Sequence, residues 1–224
     1  MFIWGLPPQD NSCGGFLYTS NYIRFMTKEY AKAFATMIHE GQFRADGVTP
    51  FINHPARVAE LVECYGGDER AVCIAWLHDV FEEGIPRIEQ EWHVPLKSKC
   101  DVFRYVTQYD RRWDDVYLPV LKLTDTWDQD EIARKGKVWY LAQLLLTASS
   151  LALTVKLCDM LANIEESNGS RISQEKRYMQ AVRVLLGVER DDMNMHQVTL
   201  CNSIIAMVER HMSHRPLGSV HHLT

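Results

Sequence analysis

The chain runs to 224 residues, 46% of them hydrophobic and 24% charged, an ordinary globular composition with room for one sizeable core. A formal net charge of −5 argues against non-specific binding to nucleic acid or to an anionic membrane, so an anionic ligand needs a local group of cations or a metal. No uninterrupted apolar run approaches the roughly 20 residues of a membrane span, and the opening MFIWGLPPQD lacks the basic start of a signal peptide.

Residues 1–25 hold Pro7-Pro8 and Gly14-Gly15 and read as an irregular extension. From Thr27 a helical period takes over, with Tyr30, Phe34, Met37 and Ile38 on one face and Gly41 after it. RADGVTPFIN is a loop. Pro55 suits a first helical turn, followed by a stripe of Val58, Leu61, Val62 and Tyr65 that Gly66-Gly67 ends. Asp68 can cap the next helix, which carries Val72, Ala75, Trp76 and Val80. A short helix, a break at Pro95 and another helix follow, while YDRRWDDVYLP reads as a solvated loop and helix end whose Arg111 and Arg112 could reach phosphates. Helices are expected over 130–148, 149–165, 173–186 and 190–212, and the polar SHRPLGSVHHLT as a loose tail. No alternating strand pattern occurs. The expected fold class is all-α: an extension over 1–25, one helical-bundle domain over 26–212 and a tail over 213–224.

Six cysteines without a CxxC pair, mostly among apolar neighbours, read as reduced thiols of a cytoplasmic protein. The informative stretch is FINHPARVAELVECYGGDERAVCIAWLHDVFEE. Positions four apart on a helix share a face, so His78 stacks with Glu82 and Asp79 with Glu83. Unpaired burial of such a group costs several kcal/mol per charge, and a divalent cation turns the mutual repulsion into shared attraction. Imidazole with carboxylate suits Mn²⁺, Fe²⁺ or Zn²⁺ better than Ca²⁺. INHP sets His54 at a loop-to-helix junction, and VKLCDMLANI sets Asp159 in an apolar helix with Asn163 one turn on. The lone acid needs a partner, and His54, His78 and Asp79 are candidates. For His78-Asp79 alone, a satisfied helix-end pair remains the plainer account.

HEGQFRADGVTPFINHPARVAELV, AWLHDVFEE and VKLCDMLAN, in that order, resemble the three blocks of the metal-dependent HD-domain hydrolases of the RelA/SpoT alarmone family. The resemblance covers residues 27–166. It implies an HD-type helical fold and one Mn²⁺, with Fe²⁺, Co²⁺ or Zn²⁺ as substitutes, held by His54, His78, Asp79 and Asp159. A water on such an ion loses its proton more readily, and the resemblance makes Glu82 and Glu83 the proton-handling pair; Glu83 stands where Asp is usual. The implied substrate is a small nucleotide with a 3′-diphosphate, (p)ppGpp or (p)ppApp, cleaved to GDP or GTP (ADP or ATP) and pyrophosphate. Arg44 would pack on the base and Asn163 would lie near the ribose and phosphate.

Ala45-Asp46 replace a basic residue and Ser, and Ile164-Glu165 replace an NMR-like end, which leaves the purine and the number of phosphates open. The alternatives are another HD nucleotide phosphohydrolase, such as a nucleotidase, a dNTP triphosphohydrolase or an NADPH phosphatase, and a non-catalytic nucleotide-binding module. A synthetase half is not expected, and the sequence leaves a homo-oligomer open. Plainer accounts stand beside individual residues: a surface ion pair of Arg44 with Glu40 or Asp46, a structural role for His39, a snorkelling Lys156, and Trp113, Trp127 and Trp139 as core or interface anchors.

Overall fold

The computed structural model describes residues 26–102, 104, 114–125, 128–188 and 190–214. Helices dominate, and among the described residues the only β pairing is an isolated antiparallel bridge between Phe43 and Pro50. The helices are α1 (Lys28–Ile38), α2 (Asn53–Cys64), α3 (Glu69–Leu77), α4 (Val80–Glu83), α5 (Ile85–Trp92) and α6 (Asp114–Leu123). They continue with α7 (Gln129–Lys135), α8 (Lys137–Thr147), α9 (Ser150–Ser167), α10 (Ile172–Gly187) and α11 (Met195–Ser213). The all-α expectation holds.

Local chemistry sets the boundaries. Side chains of Thr27, Asp68, Ser149 and Asn194 accept backbone N–H groups in the first turns of α1, α3, α9 and α11, donors that the helix itself leaves unpaired. Asn168 (φ 43°) ends α9 in the left-handed region that asparagine tolerates better than most side chains.

Three expectations are corrected. The helix expected over 130–148 is two, because Gly136 at φ 91° breaks the ladder between α7 and α8. The helix expected to run through His78 stops at Leu77 and restarts as the short α4, with His78 and Asp79 in the joint. The end of the stretch read as a solvated loop and helix end is the first part of a longer, partly buried helix, α6, where Val116 and Tyr117, and beyond the stretch Val120 and Leu121, are buried despite Pro119 inside the helix. The expected extension over 1–25, Arg111, Arg112, Trp113, Trp127 and the tail beyond His214 lie outside the described residues.

The buried apolar residues form one contiguous cluster centred on α3 and α9. Helices α1, α2 and α6 pack on α3, and α2, α6 and α11 pack on α9, which also meets α3 directly. Every residue from Ala71 to Leu77 is buried, so α3 has no polar face. Some buried polar side chains outside the centre are held by several bonds at once. Glu175, on α10, accepts from Ser167 Oγ, the Gly169 backbone N–H (3.0 Å) and His211 Nδ1 (2.8 Å), clamping the end of α9 to α10 and α11. Trp139 is half-exposed with the Lys135 ammonium 3.8 Å from its ring centroid, so it anchors no core. The five described cysteines are unpaired, and Cys73, Cys158 and Cys201 are buried. No helix among the described residues is long and apolar enough to cross a membrane.

Candidate metal centre

His54 sits in the first turn of α2, where Pro55 pre-sets the helical φ and the ring turns inward; it is 1% exposed. His78 and Asp79 occupy the α3–α4 joint, and Asp159 lies in the middle of α9. Folding brings the four together. His54 Nε2 is 3.1 Å from Asp159 Oδ1 and 3.7 Å from Asp79 Oδ2; His78 Nε2 is 3.2 Å from Asp79 Oδ1 and 3.6 Å from Asp159 Oδ1. Ligand atoms of His54, His78 and Asp159 all lie within 4.8 Å of one another, while Asp79 flanks this trio, less buried, against both imidazoles.

The tautomers can be inferred from the partners. His78 Nδ1–H donates to the Ala75 carbonyl at 2.7 Å, and His54 Nδ1–H donates to Glu166 Oε1 at 2.8 Å, since carbonyl and carboxylate oxygens only accept. A neutral imidazole so engaged turns the lone pair of Nε2 toward the two carboxylates. His78 Nε2 is buried there without a hydrogen-bond partner. Two imidazole nitrogens facing carboxylate oxygens need positive charge between them, as protons or as a cation. Burial disfavours charge on His54, but the bonds to Asp159 and Glu166 and the charge of Asp79 outweigh it and raise its pKa to about 9. Burial likewise opposes charge on Asp159, yet Lys156, His54 and His78 hold its carboxyl well below the usual range. The donor set of two nitrogens and two carboxylates, with an orphaned buried nitrogen aimed at its centre, fits a divalent transition metal.

A cavity of about 250 Å³ opens beside this group, its wall including Arg44, Glu82, Lys137, Lys156 and Arg171. Glu82 faces it from α4 and accepts the Asp125 backbone N–H at 2.9 Å through Oε1. Burial, then repulsion from Asp79, pushes its carboxyl up to about 7, with Lys156 pulling the other way. Glu83 is exposed at the rim. The expected stacking along one continuous helix does not occur. Both acids instead belong to the turn that starts at Asp79, whose carbonyl accepts the Glu82 and Glu83 backbone N–H groups at 3.0 Å.

Arg44 enters from the loop between α1 and α2. Its guanidinium lies over the Phe51 ring, 5.2 Å from the centroid, and donates to Glu166 Oε2 (2.6 and 3.1 Å) and Asn163 Oδ1 (2.9 Å). Its partner is thus neither Glu40 nor Asp46. Asp46 is occupied within its own turn, accepting the Val48 and Thr49 backbone N–H groups at 2.9 Å and the Thr49 hydroxyl at 2.6 Å. Asn163 Nδ2 donates to Asp159 Oδ1 at 2.6 Å. Lys156 does not snorkel: its ammonium is 2.8 Å from Asp159 Oδ2 and only 15% exposed. His39 is buried, stacked on Phe51, with Nδ1 on Gln42 Oε1 at 2.8 Å.

Sequence reasoning missed Glu166 and the cations Lys137 and Arg171. The signal for Glu166 was present, because Asp159, Asn163 and Glu166 follow the four-then-three spacing of one helix face. Lys137 and Arg171 reach the cavity from α8 and from the turn before α10, and no local pattern announces that.

No family model matches the sequence. Part of the chain is similar to two curated proteins. One is guanosine-3′,5′-bis(diphosphate) 3′-pyrophosphohydrolase of Haemophilus influenzae, 49% identical over 96 residues, covering 38% of this chain and 14% of that protein. The other is the probable enzyme of the same name from Synechocystis, 43% identical over 60 residues, covering 27% of this chain and 8% of that protein. The chain thus spans a small fraction of those relatives' length. Among solved structures, a metazoan ortholog of SpoT described as hydrolysing ppGpp superposes with a TM-score of 0.56 at 19% identity, over 83% of this chain and 97% of that one. At that identity the likeness concerns the fold, and it agrees with the all-helical architecture.

Proposed function

We propose that this chain is an HD-domain hydrolase of the RelA/SpoT alarmone type, which uses one divalent metal to remove pyrophosphate from the 3′ position of a purine nucleotide such as (p)ppGpp or (p)ppApp. The observation that carries the reading is the convergence of His54, His78, Asp79 and Asp159 beside Glu82 in a cavity walled by Arg44, Lys137 and Arg171. The partial similarity to curated 3′-pyrophosphohydrolases supports it. We read the four converging side chains as the ligands and Mn²⁺ as the preferred ion, with a cytoplasmic setting that the free buried thiols favour.

When bound, the ion supplies a Lewis acid for a phosphate oxygen and an acidified water. The protein supplies the rest. Glu82, fixed through Oε1 by the Asp125 N–H, keeps its other oxygen for a proton near neutral pH. Glu83, at the rim, is the second acid of the pair. Lys137 and Arg171 offset phosphate charge, and Arg44, held flat over Phe51, presents a cationic plane to the purine. Asn163 lies between Arg44 and Asp159, where a ribose hydroxyl or phosphate oxygen would come to rest.

The test is an assay of purified protein with Mn²⁺ on ppGpp, ppApp, dNTPs and NADPH, with product identification. Pyrophosphate from ppGpp or ppApp is expected, and Asp79→Ala abolishes it. A second reading, another nucleotide phosphohydrolase, draws on the pairing of Glu166 with Arg44, which takes up a cation of the cavity wall that would otherwise face the substrate. It wins if both alarmones stay intact while dNTPs or NADPH are hydrolysed. Tight nucleotide binding without any turnover would leave only a binding module.

A further inference from the structure

Hydrogen bonds around the centre close on themselves. His54 Nδ1–H donates to Glu166 Oε1 (2.8 Å), and Glu166 Oε2 accepts from Arg44 (2.6 Å). Arg44 also donates to Asn163 Oδ1 (2.9 Å), Asn163 Nδ2 donates to Asp159 Oδ1 (2.6 Å), and that same oxygen faces His54 Nε2 (3.1 Å). Both oxygens of one carboxylate are therefore committed, one to an imidazole of the centre and one to the guanidinium that walls the cavity. Three stretches of chain distant in sequence contribute: the loop after α1, the start of α2, and α9.

We propose that Glu166 is a positioning residue that ties Arg44 to His54, so that the posture of the guanidinium and the grip on the metal depend on each other. The proposal rests on the metal reading above. A carboxylate on the far nitrogen of a metal-binding imidazole fixes the ring and its tautomer and raises its basicity, and losing such a partner typically costs on the order of 10–100-fold in metal affinity. Glu166 differs from a simple buttress because its second oxygen is held by a cation that faces the nucleotide. Arg44 in turn restrains Asn163, which holds the other ligand, Asp159. Releasing Arg44 loosens both ligands at once.

The test uses the full chain and Mn²⁺ alone, with affinity read from the electron paramagnetic resonance signal of free ion. Glu166→Ala is expected to weaken Mn²⁺ binding about 10–100-fold. Arg44→Ala weakens it severalfold. In the Glu166→Gln background, where one amide oxygen can still serve His54 but the amide NH₂ repels Arg44, Arg44→Ala weakens binding less than in the wild-type background, because only its arm to Asn163 is left to lose, the non-additivity expected of residues sharing a partner. Proton and nitrogen-15 spectra of the metal-free chain provide a readout independent of metal and turnover: the hydrogen-bonded Nδ1–H signal of His54 persists in Glu166→Gln and is lost to solvent exchange in Glu166→Ala. Should Glu166→Ala fail to fold, Glu166→Gln and its double variant carry the affinity test. Unchanged Mn²⁺ affinity in folded Glu166→Ala, or full additivity of Arg44→Ala with Glu166→Gln, overturns the proposal alone. A wild-type chain that binds no Mn²⁺ overturns the metal reading and the proposal with it.

Discussion

Glu82 illustrates how a side chain's surroundings set its chemistry. Burial and the neighbouring Asp79 disfavour its charged form, which brings its pKa to about 7. A carboxylate acting as base works only when deprotonated, so turnover should climb as pH rises through that region. Glu82→Gln should flatten the climb and lower kcat about 10²–10⁴-fold, read from a pH–rate profile. Asp46 shows the opposite shift. Bonds from the Thr49 hydroxyl and the Val48 and Thr49 N–H groups lower its pKa to about 2. A depressed acid stabilises the folded turn above its unfolded value near 3.8 and loses that contribution as pH falls toward 2, so carbon-13 NMR should find Asp46 ionised at pH 3. The two residues also mark what could be read from sequence. Glu82 stood next to a His-Asp pair and drew notice, whereas Asp46 looked like an added charge near the substrate because its turn partners emerge only with the loop's geometry. Glu166 was overlooked because an acid next to Glu165 near a helix end resembles ordinary solvated surface.

At the scale of the elements, the joint between α3 and α4 decides where the acids point. Gly84 ends α4 with no room for a side chain, since an added Cβ would overlap Ile38 Cγ2 and lie 2.6 Å from the Val80 carbonyl oxygen. Gly84→Ala is expected to cost about 1–3 kcal/mol in denaturant melts, the usual range for overpacking, and to reduce turnover by moving Glu82. Gln197 has a comparable role in α11. Fully buried, it completes the capping box with Asn194 and donates to the Ser150 carbonyl, the Ser150 hydroxyl and the Thr154 hydroxyl at 2.9–3.0 Å. Gln197→Ala leaves those groups short of a partner and should destabilise by about 1–3 kcal/mol, without changing Mn²⁺ affinity. Caps such as Asp68 and breakers such as Gly66-Gly67 were legible because they act locally. The split at Gly136 was not, because a lone glycine within a helical period is compatible with continuation. Neither was α6, where Pro119 and flanking charges masked an apolar face that only burial against α3 and α9 reveals.

Across the whole molecule, one apolar cluster supports a centre whose histidines and acids strain against each other until positive charge sits among them. A ligand that binds only the folded form stabilises it by about 2.7 kcal/mol at a hundredfold excess over Kd. Mn²⁺ at that excess should therefore raise Tm by roughly 5–10 °C for a chain of this size, and EDTA should reverse it, as seen by calorimetry. Asp159→Ala should abolish the Mn²⁺-dependent rise. The fold class could be read from periodicity alone, while Lys137 and Arg171 could not be placed at the cavity, because that depends on how α8 packs against α10 and on the turn before α10. His54 and Asp159 stand 105 positions apart along the backbone yet nearly touch. Cleaving the chain between them splits the proposed ligand set across two fragments, so, on the metal reading, manganese relaxivity would report, in real time, the fraction of molecules whose two halves have found each other during refolding.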